Sequence, residues 1–253
     1  MAGKGLSAGI TRRAEYFIRM HGRWAGRNDI EQYRARWMER GIPGGQIDRV
    51  AAFEAVWGGL ALPSSPHYDG GPRTLHGGMP EGPEPDWLFE AGAQRTALPY
   101  SFVIGPDGEF GLEAGKWVAL HASVEGWLEA LALADHARRC AVTTTMLQGA
   151  AVDDLELDGF EAVPEVAGLA DTWWRGSDSL IAVYRGEAEV MEAPRCRTAT
   201  IYAGLDAWGL RGLDDIPTFS KYLTRPSQPR KRESEDAGHL AQGTSGSPEI
   251  CLS

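Results

Sequence analysis

Cysteine is scarce in this 253-residue chain. Cys140, Cys196 and Cys251 stand far apart, form no CxxC pair and have no spacing that would seat zinc. An odd number of isolated cysteines argues against a disulfide framework and reads as packed or exposed thiols, so a reducing, cytoplasmic location is expected. Long apolar runs are missing too. Nothing approaches the roughly 20 residues that a membrane helix needs. The opening segment, Met1 to Ile10, has one positive charge and no continuous apolar stretch, and is not read as a secretion signal.

The motifs of cofactor chemistry are likewise missing. The glycine pairs stand beside prolines or after a helix, without the lysine and serine or threonine of a phosphate-binding loop. The six histidines never fall into HxxxH or HExxH spacing. His67, Asp69 and His76 share a polar loop, which is read as a chance cluster and not as a metal site. Glu54 is the one acid singled out by position, in an otherwise apolar helix, and is read as solvated or bonded to a backbone amide. No catalytic, cofactor-binding or metal-ligating residue is assigned, and the chain is not expected to be an enzyme.

Charge, by contrast, is plentiful and uneven. Residues 1–46 carry nine basic and four acidic side chains, whereas residues 47–224 carry 12 basic against 27 acidic. The formal net charge of −10 therefore hides a more acidic body. Such a field repels a phosphate backbone and attracts a basic partner. The arginines between Arg12 and Arg40, interleaved with Tyr16, Trp24, Tyr33 and Trp37, look superficially like a nucleic-acid surface. Attached to an acidic body, they are read as packing against it or as a solvated face, so no direct nucleic-acid or membrane partner is expected.

Local patterns imply an α+β fold: N-terminal helices, then a mostly antiparallel or mixed sheet flanked by helices. Thr11 is placed to cap a first helix ending near Gly22. Asn28 and Glu31 have capping-box spacing for a second, which Gly41 ends. A third, over about 46–56, spaces Ile47, Val50, Phe53 or Glu54, and Trp57 onto one face. Residues 60–98 are rich in proline and glycine and are expected to be a long irregular excursion, with a short strand near Trp87 to Phe89. A three-strand meander follows over Tyr100–Ile104, Glu109–Leu112 and Lys116–Leu120, turning at Gly105-Pro106-Asp107-Gly108. Ser123 then caps a helix with Trp127 and Leu128. Beyond residue 140, Val142–Met146 fits a strand or a helix end, Asp153–Asp158 a strand, Leu180–Tyr184 with Ala188–Met191 a hairpin, and Thr198–Tyr202 another strand. One domain, 1–224, is expected, with a helical extension (1–41), a central core (42–139) and an added β-rich part (140–224). A disordered tail (225–253) follows.

Three of these pieces occur in an order that resembles the SUKH superfamily, the Smi1/Knr4-like group rich in bacterial immunity proteins. Phe53, Glu54, Gly58, Gly59, Leu62 and Pro63 match its first motif; Gly108, Trp117, Ser123 and Trp127 match the later region. The likeness covers about 42–135. After Pro63 the chain departs from the family pattern, although Tyr68 stands in part for an expected tyrosine. The resemblance implies a non-enzymatic cytoplasmic protein that binds and neutralises a cognate toxin, often a nuclease, without a cofactor. Another protein-interaction role, as an accessory component of a phage or secretion-type assembly, is the alternative; an enzyme of unrecognised type is a third. The residues expected to meet a partner are Asp154, Glu156 and Asp158, on one side of an acidic strand, with Trp173 and Trp174 as aromatic anchors.

Overall fold

The computed structural model describes residues 9–212; the expected tail lies outside them. Helix α1 (Arg12–His21) starts as expected, with the Thr11 hydroxyl accepting the Ala14 N–H at 3.2 Å, and it buries Ala14, Phe17 and Ile18. A two-residue strand, β1 (Arg23–Trp24), follows. Helix α2 (Glu31–Glu39) lacks the expected capping box, because the Asn28 N–H donates instead to Glu54 Oε1 at 2.6 Å and Ile30 takes the cap position. It buries only Trp37, on which Tyr33 stacks with ring centres 5.5 Å apart. Helix α3 (Gly44–Trp57) buries Ile47, Val50, Phe53, Glu54 and Trp57, the periodic face read from sequence.

The proline- and glycine-rich stretch is better ordered than its composition implies. Strands β2 (Leu60–Ala61), β3 (Thr74–Leu75), β4 (Phe89–Glu90) and β5 (Gly92–Ala93) are each two residues long. They do their work by pairing distant segments: β1, β2, β3 and β5 form one sheet in that order. Arg95 ties the loop from inside, donating to the carbonyls of Gly70 (2.9 Å) and Leu62. The meander is present as β6 (Ser101–Ile104), β7 (Phe110–Glu113) and β8 (Trp117–His121), with β4 added outside β6. Its turn closes with the Gly108 N–H donating to the Gly105 carbonyl at 3.1 Å.

Ser123 then caps α4 (Val124–Cys140), its hydroxyl accepting the Gly126 N–H at 3.3 Å. The third sheet comprises β9 (Thr143–Gln148), β10 (Glu161–Ala162), β11 (Thr172–Arg175), β12 (Ser179–Tyr184) and β13 (Thr198–Ala203), in the order β10-β11-β12-β13-β9. Short helices α5 (Gly186–Val190) and α6 (Ala207–Arg211) lie on either side of β13 in the chain. Every strand ladder is antiparallel, so the fold is α+β with three antiparallel sheets.

Two expectations are corrected. No hairpin crosses Arg185-Gly186: the Asp171 carboxylate accepts both of their N–H groups, at 3.0 and 3.2 Å, and the chain opens into α5 instead of a return strand. Residues 153–158 form no strand either. They leave the sheet in a turn, in which the Asp153 N–H bonds to the Ala150 carbonyl at 2.9 Å.

The main core runs from Ala14 to Leu210 and takes residues from all three expected blocks, so among the described residues these blocks share one interior. Phe53 meets Phe89 edge to face at 5.5 Å, and Trp127 stacks on Phe110 at 4.5 Å. Trp117 is half-buried against Gly105 and Gly111. Phe53→Ala should cost about 3–5 kcal/mol in urea unfolding. A loss below about 1 kcal/mol would show that this face of α3 contributes little packing.

Candidate protein-binding surface

The third sheet has two apolar faces. Trp173, Leu180, Ala182, Tyr184 and Tyr202 point into the main core. Ile181, Val183 and Ala199 point the other way, where Val152 joins them in a second, smaller cluster. This alternation is the period of two along each strand. The small cluster is roofed by the loop between β9 and β10, whose Leu155, Leu157 and Phe160 pack onto it together with Trp174.

That roof carries the acidic residues. Leu155 and Leu157 turn inward, while Asp154, Glu156 and Asp158 are exposed. The side-to-side alternation expected of a strand thus survives in a loop, because two buried leucines fix it. Asp153 pairs with Arg197, whereas Asp154, Glu156 and Asp158 make no ion pair among the described residues. A depression of about 630 Å³ adjoins the loop, lined by Lys116, Asp153, Arg185, Glu189, Glu192 and Arg197. Its mixed charge and shallow form suit a protein surface more than an enclosed small-molecule site.

The two tryptophans separate as neighbours on a strand must. Trp173 is 2% exposed and stacks parallel to Tyr202 at 5.9 Å, so it cannot touch a partner and is corrected to a core residue. Trp174 is half-buried on the acidic side of the sheet, its indole N–H bonded to Thr172 Oγ1 at 3.0 Å. Four of the five expected contact residues therefore belong to one face: Asp154, Glu156, Asp158 and Trp174.

Other ionisable groups are held inside the protein. Glu54, 2% exposed, accepts from the backbone N–H of Asn28 and of Gly77 (2.8 Å), and its Oε1 lies 3.0 Å from His76 Nδ1. It is a staple between α3 and two loops, as the backbone-amide reading anticipates. Glu129 on α4 pairs with Arg13 on α1 at 3.0 Å, and both are almost fully buried. Burial pushes the Glu129 carboxyl up, against the opposing pull of Thr11 and Arg13. Of the arginines considered for nucleic acid, Arg13 therefore packs against the body, while Arg12, Arg19, Arg23, Arg27, Arg36 and Arg40 are exposed. Cys140 is a free thiol, and Cys196 is buried.

Asp171 went unnoticed in the sequence. It is 1% exposed and accepts from the Tyr68 hydroxyl at 2.6 Å as well as from Arg185 and Gly186. Tyr68 and Asp69 have positive φ, 55° and 45°, so the bond holds a turn that an ordinary chain resists. The tyrosine lies 103 positions from its acceptor, a separation no local pattern reveals. Burial raises the Asp171 carboxyl to about 7. His67, stacked on Tyr184 with centres 3.5 Å apart, is depressed by burial to about 4, and so is His121, bonded to the Val166 carbonyl. These groups cap and pack segments. Among the described residues no cluster of histidine, cysteine and carboxylates is placed to hold a metal ion, and no helix is long and apolar enough to cross a membrane. Comparisons with family models, curated proteins and solved structures return no match.

The raised Asp171 carboxyl has a signed consequence. The folded state holds this proton more tightly than the unfolded chain does, so its contribution is full below about pH 4 and is lost as pH rises through about 7. The stability difference between wild type and Asp171→Asn should therefore fall from pH 4 to pH 7 and stay level above pH 8. Urea titrations at several pH values read it, and a flat difference would remove Asp171 as the source.

Proposed function

We propose that this protein is a non-enzymatic, cytoplasmic immunity protein that binds a basic toxin domain, such as a nuclease, and covers its substrate cleft. The observation that carries this reading is the acidic loop. Three carboxylates that make no ion pair among the described residues are presented to solvent on a loop fastened to the sheet by Leu155 and Leu157, with Trp174 on the same face. A nuclease cleft is basic because it must hold phosphate. Fixed carboxylates draw such a cleft in and orient it, while a neighbouring aromatic side chain supplies contact area once water is expelled. The likeness of residues 42–135 to SUKH proteins supports the same reading. So does the structural role of its motif residues: Glu54 and Gly58 meet so closely that a Cβ on Gly58 would lie 2.4 Å from the carboxylate.

An accessory component of a larger assembly is the second reading, favoured by a bare sheet edge described below. The two differ in what the acidic loop does. With a basic, nuclease-type toxin domain as the partner, Asp154→Lys, Glu156→Lys and Asp158→Lys together should slow association roughly tenfold or more at low salt, and less as salt rises. Trp174→Ala should instead speed dissociation, by roughly tenfold. Stopped-flow and surface-binding kinetics at two salt concentrations separate these effects. Unchanged association in the triple variant would take the loop out of the interface, and failure of the wild type to bind at low salt would sink the pairing itself.

A further inference from the structure

We infer that β9 is a self-association edge, along which a second copy of this chain adds its own β9 antiparallel and joins the two five-stranded sheets into one. The inference is independent of the proposed function. The other sheet edges are short or covered. Strands β1, β4, β5 and β10 are two residues long, and β10 carries Glu161. The outer side of β8 is occupied by residues 167–170, which lead into β11: Ala122 donates to the Ala167 carbonyl at 2.8 Å, Leu169 to that of Leu120 at 2.8 Å, and Ala170 to that of Ala119 at 3.2 Å. Short length, charge and covering segments are the usual ways in which edges are kept from pairing.

β9 has none of these protections. It is six residues long, Thr143-Thr144-Thr145-Met146-Leu147-Gln148, and ends its sheet with β13 on one side only among the described residues. It contains no proline, glycine or charge, and its ladder to β13 runs through all six residues without a bulge. The side chains beside it are apolar and open to solvent: Val142 is 79% exposed and Met146 57%. Two large apolar side chains that the fold leaves exposed thus flank a backbone edge that is unpaired among the described residues.

Charge selects the occupant. A basic partner is drawn to carboxylates, and β9 has none. A chain of net charge −10 meets its own copy with least repulsion across a neutral strip, and this strand supplies one. Antiparallel pairing about a two-fold axis normal to the sheet requires the axis to pass midway between one residue of the strand and the same residue of the other copy. With the axis between the two copies of Thr145, Thr144 of each copy faces Met146 of the other and Val142 faces Gln148, so no like charges are opposed. The pairing satisfies backbone groups that otherwise bond to water and takes Val142 and Met146 out of solvent.

Sedimentation velocity on the full chain, from about 1 to about 200 μM, reads the outcome by mass action. A concentration-dependent dimer is expected, weakened at least tenfold by Met146→Lys and by Thr145→Lys, with unchanged melting temperature at concentrations where the wild type is monomeric, because both side chains are exposed. Hydrogen exchange on the wild type supplies a check that needs no variant: amides of residues 143–148 should lose protection as dilution yields monomer. A chain monomeric throughout, whether or not a toxin domain covers this edge, overturns the inference. So does a dimer that both lysine variants leave intact, which would place the seam elsewhere.

Discussion

The burial of α4 is the constraint on which the rest of the fold depends. A surface helix keeps one polar face, but this 17-residue helix buries side chains all round, from Val124 and Trp127 through Leu133 to Ala137. It has to be covered on every side, and its few polar residues decide by what. Glu129 receives Arg13 and the Thr11 N–H and hydroxyl, which sets α1 against it. His136 bonds to the Trp208 carbonyl and so positions α6. An isolated buried carboxylate would be costly, and here several donors offset that cost while fixing one arrangement of the helices.

Two further buried carboxylates hold the irregular parts in the same way. Glu54 gathers the loops at Asn28 and Gly77 onto α3, and Gly58 and Gly59 let the chain pass directly beneath it; Gly59 has φ +80° and lies against the Ala25 carbonyl. Asp171 joins the Tyr68 turn to the start of α5. Each carboxylate accepts backbone N–H groups that no strand or helix satisfies. With the interior fixed by these anchors, the sheet can present its outer face to other proteins. The acidic loop and Trp174 stand on that face, and β9 runs along its margin.

Much of this was legible in the sequence because its causes are local. Thr11 and Ser123 cap helices through hydroxyls three residues away, and the meander follows from a β-prone run, a tight turn and a return. Where the sequence misled, a distant residue had intervened. Asn28 has the spacing of a cap, but Glu54 took its N–H; residues after Tyr184 look like a returning strand, but Asp171 started a helix there. The acidic segment shows the same division. Its inward and outward alternation was readable, since Leu155 and Leu157 need cover, whereas its departure from the sheet depended on the turn after Val152. Trp173 and Trp174 were readable as facing opposite ways, but which faced inward was decided by Tyr202.

Hydrogen–deuterium exchange on the free protein and on a complex with the proposed partner, a basic toxin domain, tests the proposed binding face most directly. Protection confined to residues 149–160 and 172–175, with the N-terminal helices unchanged, is the result this account requires. Protection over residues 12–40 or 64–98, with 149–160 exchanging as in the free protein, would contradict it.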